Sequence, residues 1–471
     1  MFIMQDEKNN DSNEKSKTLT LKFCSGAGAV TGANFLLQQN EEGGKKFLVD
    51  CGMEQGTAQA DDTNWSDFPY NPSEIDILFI THAHVDHIGR IPKLVAQGFK
   101  GRIISTDATH DLALPMLMDT VNIMAHDTKH PGVKEMYTEE IVQNALSMWE
   151  GVPYYQDINI DHGFKCQFKD SGHILGSAML EIYYGSKKIV FTGDLGNSPS
   201  PLLRDTDPIE ADYLIMESVY GDRNHEHRDQ RRKMLEKVIE DNYNRKGVLV
   251  IPTFSLERSQ ELLFEINEFV ENKRVPQMPV FFDSPLAIRL TSVYHKYTKY
   301  FNQEAKDGIH ARGDIFNFPG LKITPDTEDS KQILHSPNPK IIIAGSGMSN
   351  GGRILHHEHN YLPDANNTLL LTGYQSMGTL GRFIEDGNKS IRIAGEEVSI
   401  RARVEKIDGY SGHKDSDHLL EFVAQMQDRV QKVFVCMGEP KSALFLVQKL
   451  RDNLGVNAIA PQAGDTELLL C

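Results

Sequence analysis

The sequence predicts an α/β protein with a strand-rich layered core and a second unit built on a parallel sheet. Three observations carry this. Short apolar runs punctuated by glycine recur over the first 200 residues. They are too short for helices, rich in branched and aromatic residues, and end in turn formers, which is how strands read. From about residue 210 the pattern changes to strands alternating with helical stretches, the βαβ rhythm of a parallel sheet. The segment 395–471 then returns to short strands with two helices.

In chain order, the expected strands are LTLKF (19–23), NFLL (34–37), KKFLVDCG (45–52), IDILFITHAH (75–84), GRIIST (101–106), AMLEIYY (178–184) and KKIVFTGDLG (187–196). Helical spacing appears over 88–97, 110–126 and 224–242, so helices cover these sheets. VLVIPTF (248–254) leads into the helical LERSQELLFEINEFVEN, then PVFFDSPLAI, KIIIAGSG (340–347) and NTLLLTGYQ (367–375). A helix at 418–429, the strand KVFVCMG and a helix at 441–454 complete the pattern.

The 471 residues allow two or three domains. Residues 1–17 are polar, with no apolar core for a secretory signal, and are expected to form a disordered tail. No apolar run is long enough for a membrane span. Five scattered cysteines without a CxxC pair point to reduced thiols in the cytoplasm. A net charge of −17 argues against a generic nucleic-acid binder, since Lys and Arg drive phosphate binding. Bound metal ions would create a local positive well, so any nucleic acid must be held through a focused patch.

The chemistry centres on FITHAHVDHIGRIP, with His82, His84, Asp86 and His87. After a strand, residues two apart face one side. Imidazole and carboxylate are the ligands of hydrolytic zinc, which keeps a position for water. A histidine-rich surface loop is the bland alternative, and this spacing after an apolar strand disfavours it. Asp50, His173 and Asp194 each stand beside a glycine at a strand end, where a plain turn residue is common. Together they supply what a two-metal site needs: a further histidine, a bridging carboxylate, and a buried aspartate steadying a ligand.

DCG, HAHVDH, SGHILGS and TGDLG resemble the successive motifs of the metallo-β-lactamase superfamily. MESVYGDR at Glu217, IPTFSLERSQELL, DSPLA, AGSGMSNGGRILHH, TGYQSMGTLGR and GYSGHKDSDHLL at His413 resemble its β-CASP nucleic-acid-processing branch. The likeness is greatest to compact prokaryotic RNases related to the cleavage-and-polyadenylation endonuclease, without the extra C-terminal domain of RNase J. It implies a metallo-β-lactamase αββα sandwich (18–208 and 394–471) with an inserted α/β β-CASP domain (209–393). His82, His84 and His173 would hold one zinc, Asp86 and His87 would help hold a second, and Asp194 would lie between them. A hydroxide bridging the two zincs would attack phosphorus. His413, oriented by Glu217, would protonate the leaving oxygen or steady the phosphate.

The final motif departs from the branch. VFVCMGEP carries Met437 where a histidine is expected, and DNA-acting relatives carry valine there. A thioether is a poor zinc ligand, so the second zinc is expected to be held more weakly. Cys436 is expected to face away by strand alternation. Ser346 and Gly347, in AGSGMSNGGR, are candidates to cradle a phosphate, and Arg353, Arg382 and Arg258 are candidate phosphate contacts. His356, His357 and His359 are expected to be solvated or to pack between domains, and His225 and His227 to face solvent. The expected activity is a zinc-dependent, endonucleolytic ribonuclease. Its partners would be single-stranded RNA and, in a homodimer, a second copy of the chain, with no membrane. The rivals are a DNA nuclease of the same fold and a non-catalytic RNA-processing scaffold.

Overall fold

The computed structural model describes residues 17–471 except 57, 128, 226–229 and 377, so residues 1–16 of the expected tail and His227 lie outside the described residues. Two seven-stranded sheets form the core. The first runs, in spatial order, Thr466–Leu470, Thr18–Ser25, Asn34–Gln39, Lys46–Val49, Ile77–Phe79, Arg102–Thr106 and Trp149–Val152. The second runs Ala458–Ile459, Lys432–Val435, Tyr213–Met216, Lys187–Phe191, Ala178–Tyr184, Phe164–Asp170 and Ile158–Ile160. Aromatic pairs lock the two sheets face to face: Phe47–Phe164 at 4.9 Å, Phe23–Phe434 at 5.4 Å and Phe35–Phe191 at 6.0 Å between centroids. Each such pair contributes about 0.5–1.5 kcal/mol beyond the burial of its rings. Asp107–Met124 packs against the outer side of the first sheet, while Ser416–Ala424 and Pro440–Leu454 close the second. These are the four layers of an αββα sandwich.

A third sheet is wholly parallel, in the order Leu321–Ile323, Val280–Asp283, Lys340–Ala344, Val248–Pro252, Thr368–Leu371 and Arg403–Lys406. Its central strands are fully buried, as strands covered on both faces must be. Tyr213–Met216, beyond the expected division at 208, pairs within the second sheet, and Arg403–Lys406, beyond 393, pairs within the third.

The strands that carry candidate ligands are aligned so that their carboxyl ends share one rim. Lys46–Val49 runs parallel to Ile77–Phe79, and Lys187–Phe191 to Tyr213–Met216 and Lys432–Val435. The turns beyond these ends interlock through backbone. Cys51 N–H donates to His87 O and Met53 N–H to Val85 O, which ties DCG to the histidine loop. Gly52 makes this possible, because a Cβ there would lie 1.5 Å from the Asp86 carbonyl oxygen. Gly196 does the same for TGDLG, where a Cβ would lie 1.9 Å from Gly172 O. Gly52→Ala should therefore cost at least about 1–3 kcal/mol, the range for overpacking, and lower both melting temperature and metal content. An unchanged melting curve with full metal would contradict this packing.

Candidate metal and catalytic site

Asp50 begins the site. Its carboxylate accepts the Thr81 N–H at 2.8 Å, the Thr81 hydroxyl at 2.8 Å and the His87 Nδ1–H at 2.8 Å. Thr81 Oγ, having donated to Asp50, can accept from His82 Nδ1 at 3.1 Å. His173 Nδ1–H donates to Gly412 O at 2.8 Å. In His82, His87 and His173 the Nδ1 proton is thus committed to oxygen, so Nε2 faces inward, and in His82 and His173 it does so as a lone pair.

Those lone pairs converge. His84 Nδ1 lies 3.1 Å from His82 Nε2 and 3.2 Å from His173 Nε2. Asp194 Oδ2 lies 3.5 Å from His82 Nε2 and 3.4 Å from His173 Nε2. Donors placed tetrahedrally about 2.0–2.1 Å from a common centre sit roughly 3.3 Å apart, so these spacings match the edges of one coordination tetrahedron. Burial, together with neighbouring imidazoles, holds His82 and His173 well below the usual range, and burial takes His84 down to about 3. All three are neutral and free to ligate a metal.

The other Asp194 oxygen, Oδ1, lies 3.4 Å from His87 Nε2, and Asp86 Oδ2 is 4.0 Å from the same nitrogen. His87 Nε2 and Asp194 Oδ1 are both buried without a hydrogen-bond partner. Orphaned buried polar atoms carry a full desolvation cost unless something fills the gap. Burial opposes charge on His87, but Asp194 and Asp50 outweigh it and hold its pKa well above the usual value. A cation between His87 and the carboxylates satisfies both atoms. The residues present therefore fit a metal-binding centre, with Asp194 presenting an oxygen to each half.

Beside it, His413 Nδ1–H donates to Glu217, 3.1 Å from each carboxylate oxygen. Burial lowers its pKa, but Glu217 and then Asp194 more than reverse that, and His413 rises to about 9. Glu217 is fixed in turn by Leu195 N–H at 2.6 Å. The GYSGH turn is stitched to the Asp194 turn by Asn197 N–H to Gly412 O and Lys414 N–H to Leu195 O.

Several residues that sequence reasoning missed hold these turns. Glu257 accepts the Leu175 N–H at 3.1 Å and the Tyr294 hydroxyl at 2.5 Å, pinning the His173 loop from the third-sheet side. Tyr410 donates to Glu265 beneath Arg231 and Arg258. Thr81 was visible beside His82, whereas no sequence pattern marks Gly412 O or Glu257.

Other expectations fall out differently. His225 is only half-exposed: its Nε2–H donates to His413 O at 2.8 Å, and its ring packs on Tyr220, a tertiary contact hidden by its charged sequence neighbours. His357 is fully buried on Asp283 at 2.7 Å, and His359 pairs with Glu396 at the surface. Arg353 is turned onto Asp283, Thr324 O and Pro325 O, and Arg258 onto Glu261 at 2.6 Å. Arg382 stands at the surface on Asp386. Ser346 Oγ accepts from Asn350 N–H at 3.0 Å within its turn, and Gly347 lies against Phe254. The strand Lys432–Val435 stops short of 437, and Met437 has φ 44°. Strand alternation therefore does not extend to these residues, and Cys436 and Met437 both line a small cavity with Asp50 and His87.

Residues 28–137 match the metallo-beta-lactamase superfamily, 259–384 the Beta-Casp domain, and 397–461 the Zn-dependent metallo-hydrolase RNA specificity domain. Ribonuclease TTHA0252 of Thermus thermophilus is 36% identical over 419 residues, covering 88% of this chain and 92% of the relative. An RNase J-like protein of Methanocaldococcus jannaschii is 32% identical, covering 94% and 98%. Transcription termination factor FttA of Methanosarcina mazei is 30% identical, covering 98% and 73%. A crystal structure of a protein of unknown function from Enterococcus faecalis shares the fold, with a TM-score of 0.55 at 13% identity over 96% of this chain and all of the other. Fold and site together define a metallo-β-lactamase-type hydrolase. The chain belongs to the β-CASP branch of that superfamily.

Asp50 stands outside the donor cluster and is bonded to it through His87 and Thr81. Asp50→Asn should weaken metal binding about 10–100-fold, the usual effect of losing a ligand's supporting partner, as metal titration would show. Unchanged affinity would remove His87 from the ligand set.

Proposed function

We propose that this protein is a zinc-dependent ribonuclease that hydrolyses phosphodiester bonds within single-stranded RNA. The observation that carries the reading is the donor set around Asp194 with the His413–Glu217 pair beside it. Two relatives covering nearly the whole chain are named as a ribonuclease and an RNase J-like protein, which supports RNA as the substrate. His82, His84, His173 and Asp194 would hold one zinc, and Asp86, His87 and Asp194 a second. Zinc, when bound, supplies Lewis acidity that polarises the phosphoryl group and lets water act as a nucleophile near neutral pH.

The chain's own residues do the rest. Glu217 accepts the Nδ1 proton of His413, which directs the other ring nitrogen away from the carboxylate. A histidine held at about 9 is protonated at neutral pH, so it can give a proton to the leaving oxygen as the phosphorus–oxygen bond breaks. The Gly412 carbonyl keeps His173 in the tautomer that ligates. Five free cysteines fit a reducing cytoplasm, and among the described residues no helix is long and apolar enough to cross a membrane. Exposed Leu468 and Leu470 on the edge strand Thr466–Leu470 are the surface a homodimer would use.

The test is cleavage of end-labelled single-stranded RNA and the matching DNA by zinc-loaded protein. Internal RNA fragments, lost on chelation and restored by zinc, are expected; cleavage of DNA alone, or full activity without metal, would overturn the reading. His413→Ala should slow the chemical step by a factor on the order of 10²–10⁴ while zinc content and RNA affinity stay nearly constant. Loss of zinc in that variant would move His413 into the metal shell.

The second zinc would have three protein ligands, Asp86, His87 and Asp194, and no imidazole from position 437, where Met437 packs on Gly26. Met437→His should tighten that zinc in a competitive metal titration. Two zincs held equally tightly by the unmodified protein would contradict a weak second site.

A further inference from the structure

Phe254 lies just beyond the strand Val248–Pro252, at the carboxyl ends of the parallel sheet. From this strand the chain continues to Val280–Asp283 on one side. From its neighbour Lys340–Ala344 it crosses to Thr368–Leu371 on the other. Loops diverging from two adjacent parallel strands leave a crevice, the usual ligand position in such sheets. Phe254 stands in that crevice and is 39% exposed. A lone exposed phenylalanine needs no explanation by itself, but the surroundings of this one are particular.

Two glycine turns border the ring. A Cβ on Gly347 would lie 2.9 and 3.0 Å from ring carbons Cδ2 and Cε2, and one on Gly373 would lie 3.6 Å from Cε2. Neither glycine has a side chain to place over the ring. The backbone beneath it is rigid: Thr253 N–H donates to Ala344 O at 2.9 Å, and Phe254 O accepts from Ser259 Oγ at 2.7 Å. Phe254 belongs to none of the hydrophobic cores among the described residues.

The ring also lies on a route to the reacting centre. Tyr374, next to Gly373, faces the Arg223 guanidinium at 5.8 Å. That guanidinium covers Tyr220 at 4.8 Å, and the Tyr220 ring is 6.3 Å from the His413 ring. By the other path, Glu257 follows Phe254 by three residues and binds Leu175 N–H in the His173 loop. Three residues span at most about 11 Å, which keeps Phe254 within that reach of the residue that pins the His173 loop.

We propose that Phe254 is a base-stacking platform for a nucleotide flanking the cleaved bond, an inference that rests on the ribonuclease reading. Stacking on an aromatic face is tolerant of sequence, because every base has a π-face. It also answers the charge problem. With a net charge of −17 and with Arg258 and Arg353 engaged in internal ion pairs, a neutral ring adds affinity without calling on further cationic contacts.

The test uses the zinc-loaded His413→Ala protein, which holds RNA without cutting it, and oligoribonucleotides with 2-aminopurine scanned through successive positions. One position should be quenched on binding. Phe254→Leu, which keeps apolar bulk but loses the flat ring, should abolish that quench and weaken binding about 5- to 100-fold. Phe254→Tyr should retain both. Tyr243→Leu, at an exposed aromatic near the opposite end of the Val248–Pro252 strand, should change neither. Tight binding with an undiminished quench in Phe254→Leu overturns the platform and leaves the ribonuclease reading standing. A parent protein that neither binds nor, with His413 restored, cuts RNA overturns both.

Discussion

A buried carboxylate among imidazoles is costly unless cations or protons balance it, and Asp194 is the point where this protein concentrates that constraint. Burial resists its charge, yet His87 and His82 hold its pKa well below the usual value. One oxygen looks into the cluster of His82, His84 and His173 and the other toward His87, so a single side chain joins both halves of the centre. The strand ends around it can be read as devices for keeping those groups in place. Gly52 and Gly196 let backbones approach too closely for any side chain, and Asp50 and Gly412 O fix imidazole tautomers. A neutral, hydrogen-bonded imidazole beside a shared carboxylate offers a metal lone pairs that need no rearrangement.

The third sheet belongs to the centre as much as the sandwich does. Glu257 reaches across to Leu175 N–H, and the Tyr410–Glu265 bond, beneath Arg231 and Arg258, steadies the turn that presents Gly412 O and His413. A movement of one unit against the other would disturb the loop of His173 and the turn of His413 together. Arg258, which looks like a phosphate contact in the sequence, is instead held at this junction, over the Tyr410 ring and on Glu261.

Much of this was legible in the sequence because ligand chemistry follows strand ends. HAHVDH announces a metal loop by itself, and Asp50, His173 and Asp194 were found because each sits where an apolar run meets glycine. What was missed lacks such a signal. WEGV and YLIM form only four-residue strands, too short to show a period, and FKCQFKD alternates with lysines instead of running apolar. Tertiary partners escaped for a different reason. Gly412 contributes only a carbonyl, Glu257 reads as an ordinary acid before a helix, and His225 sits among charges that suggest solvent. The strand Arg403–Lys406 joins the third sheet after the apparent return to the sandwich, because pairing partners are chosen in space and not by the order of composition.

In the proposed centre Asp194 would present one oxygen to each of two metals, Oδ2 beside His82 and His173 and Oδ1 beside His87. Anomalous diffraction at the zinc edge from crystals of the zinc-loaded protein tests it directly. The account predicts two peaks flanking the Asp194 carboxylate, about 3.5–4 Å apart as in bridged pairs, with the weaker one beside His87 and Asp86. A single peak within His82, His84 and His173, with His87 Nε2 bonded only to protein or water, would contradict it.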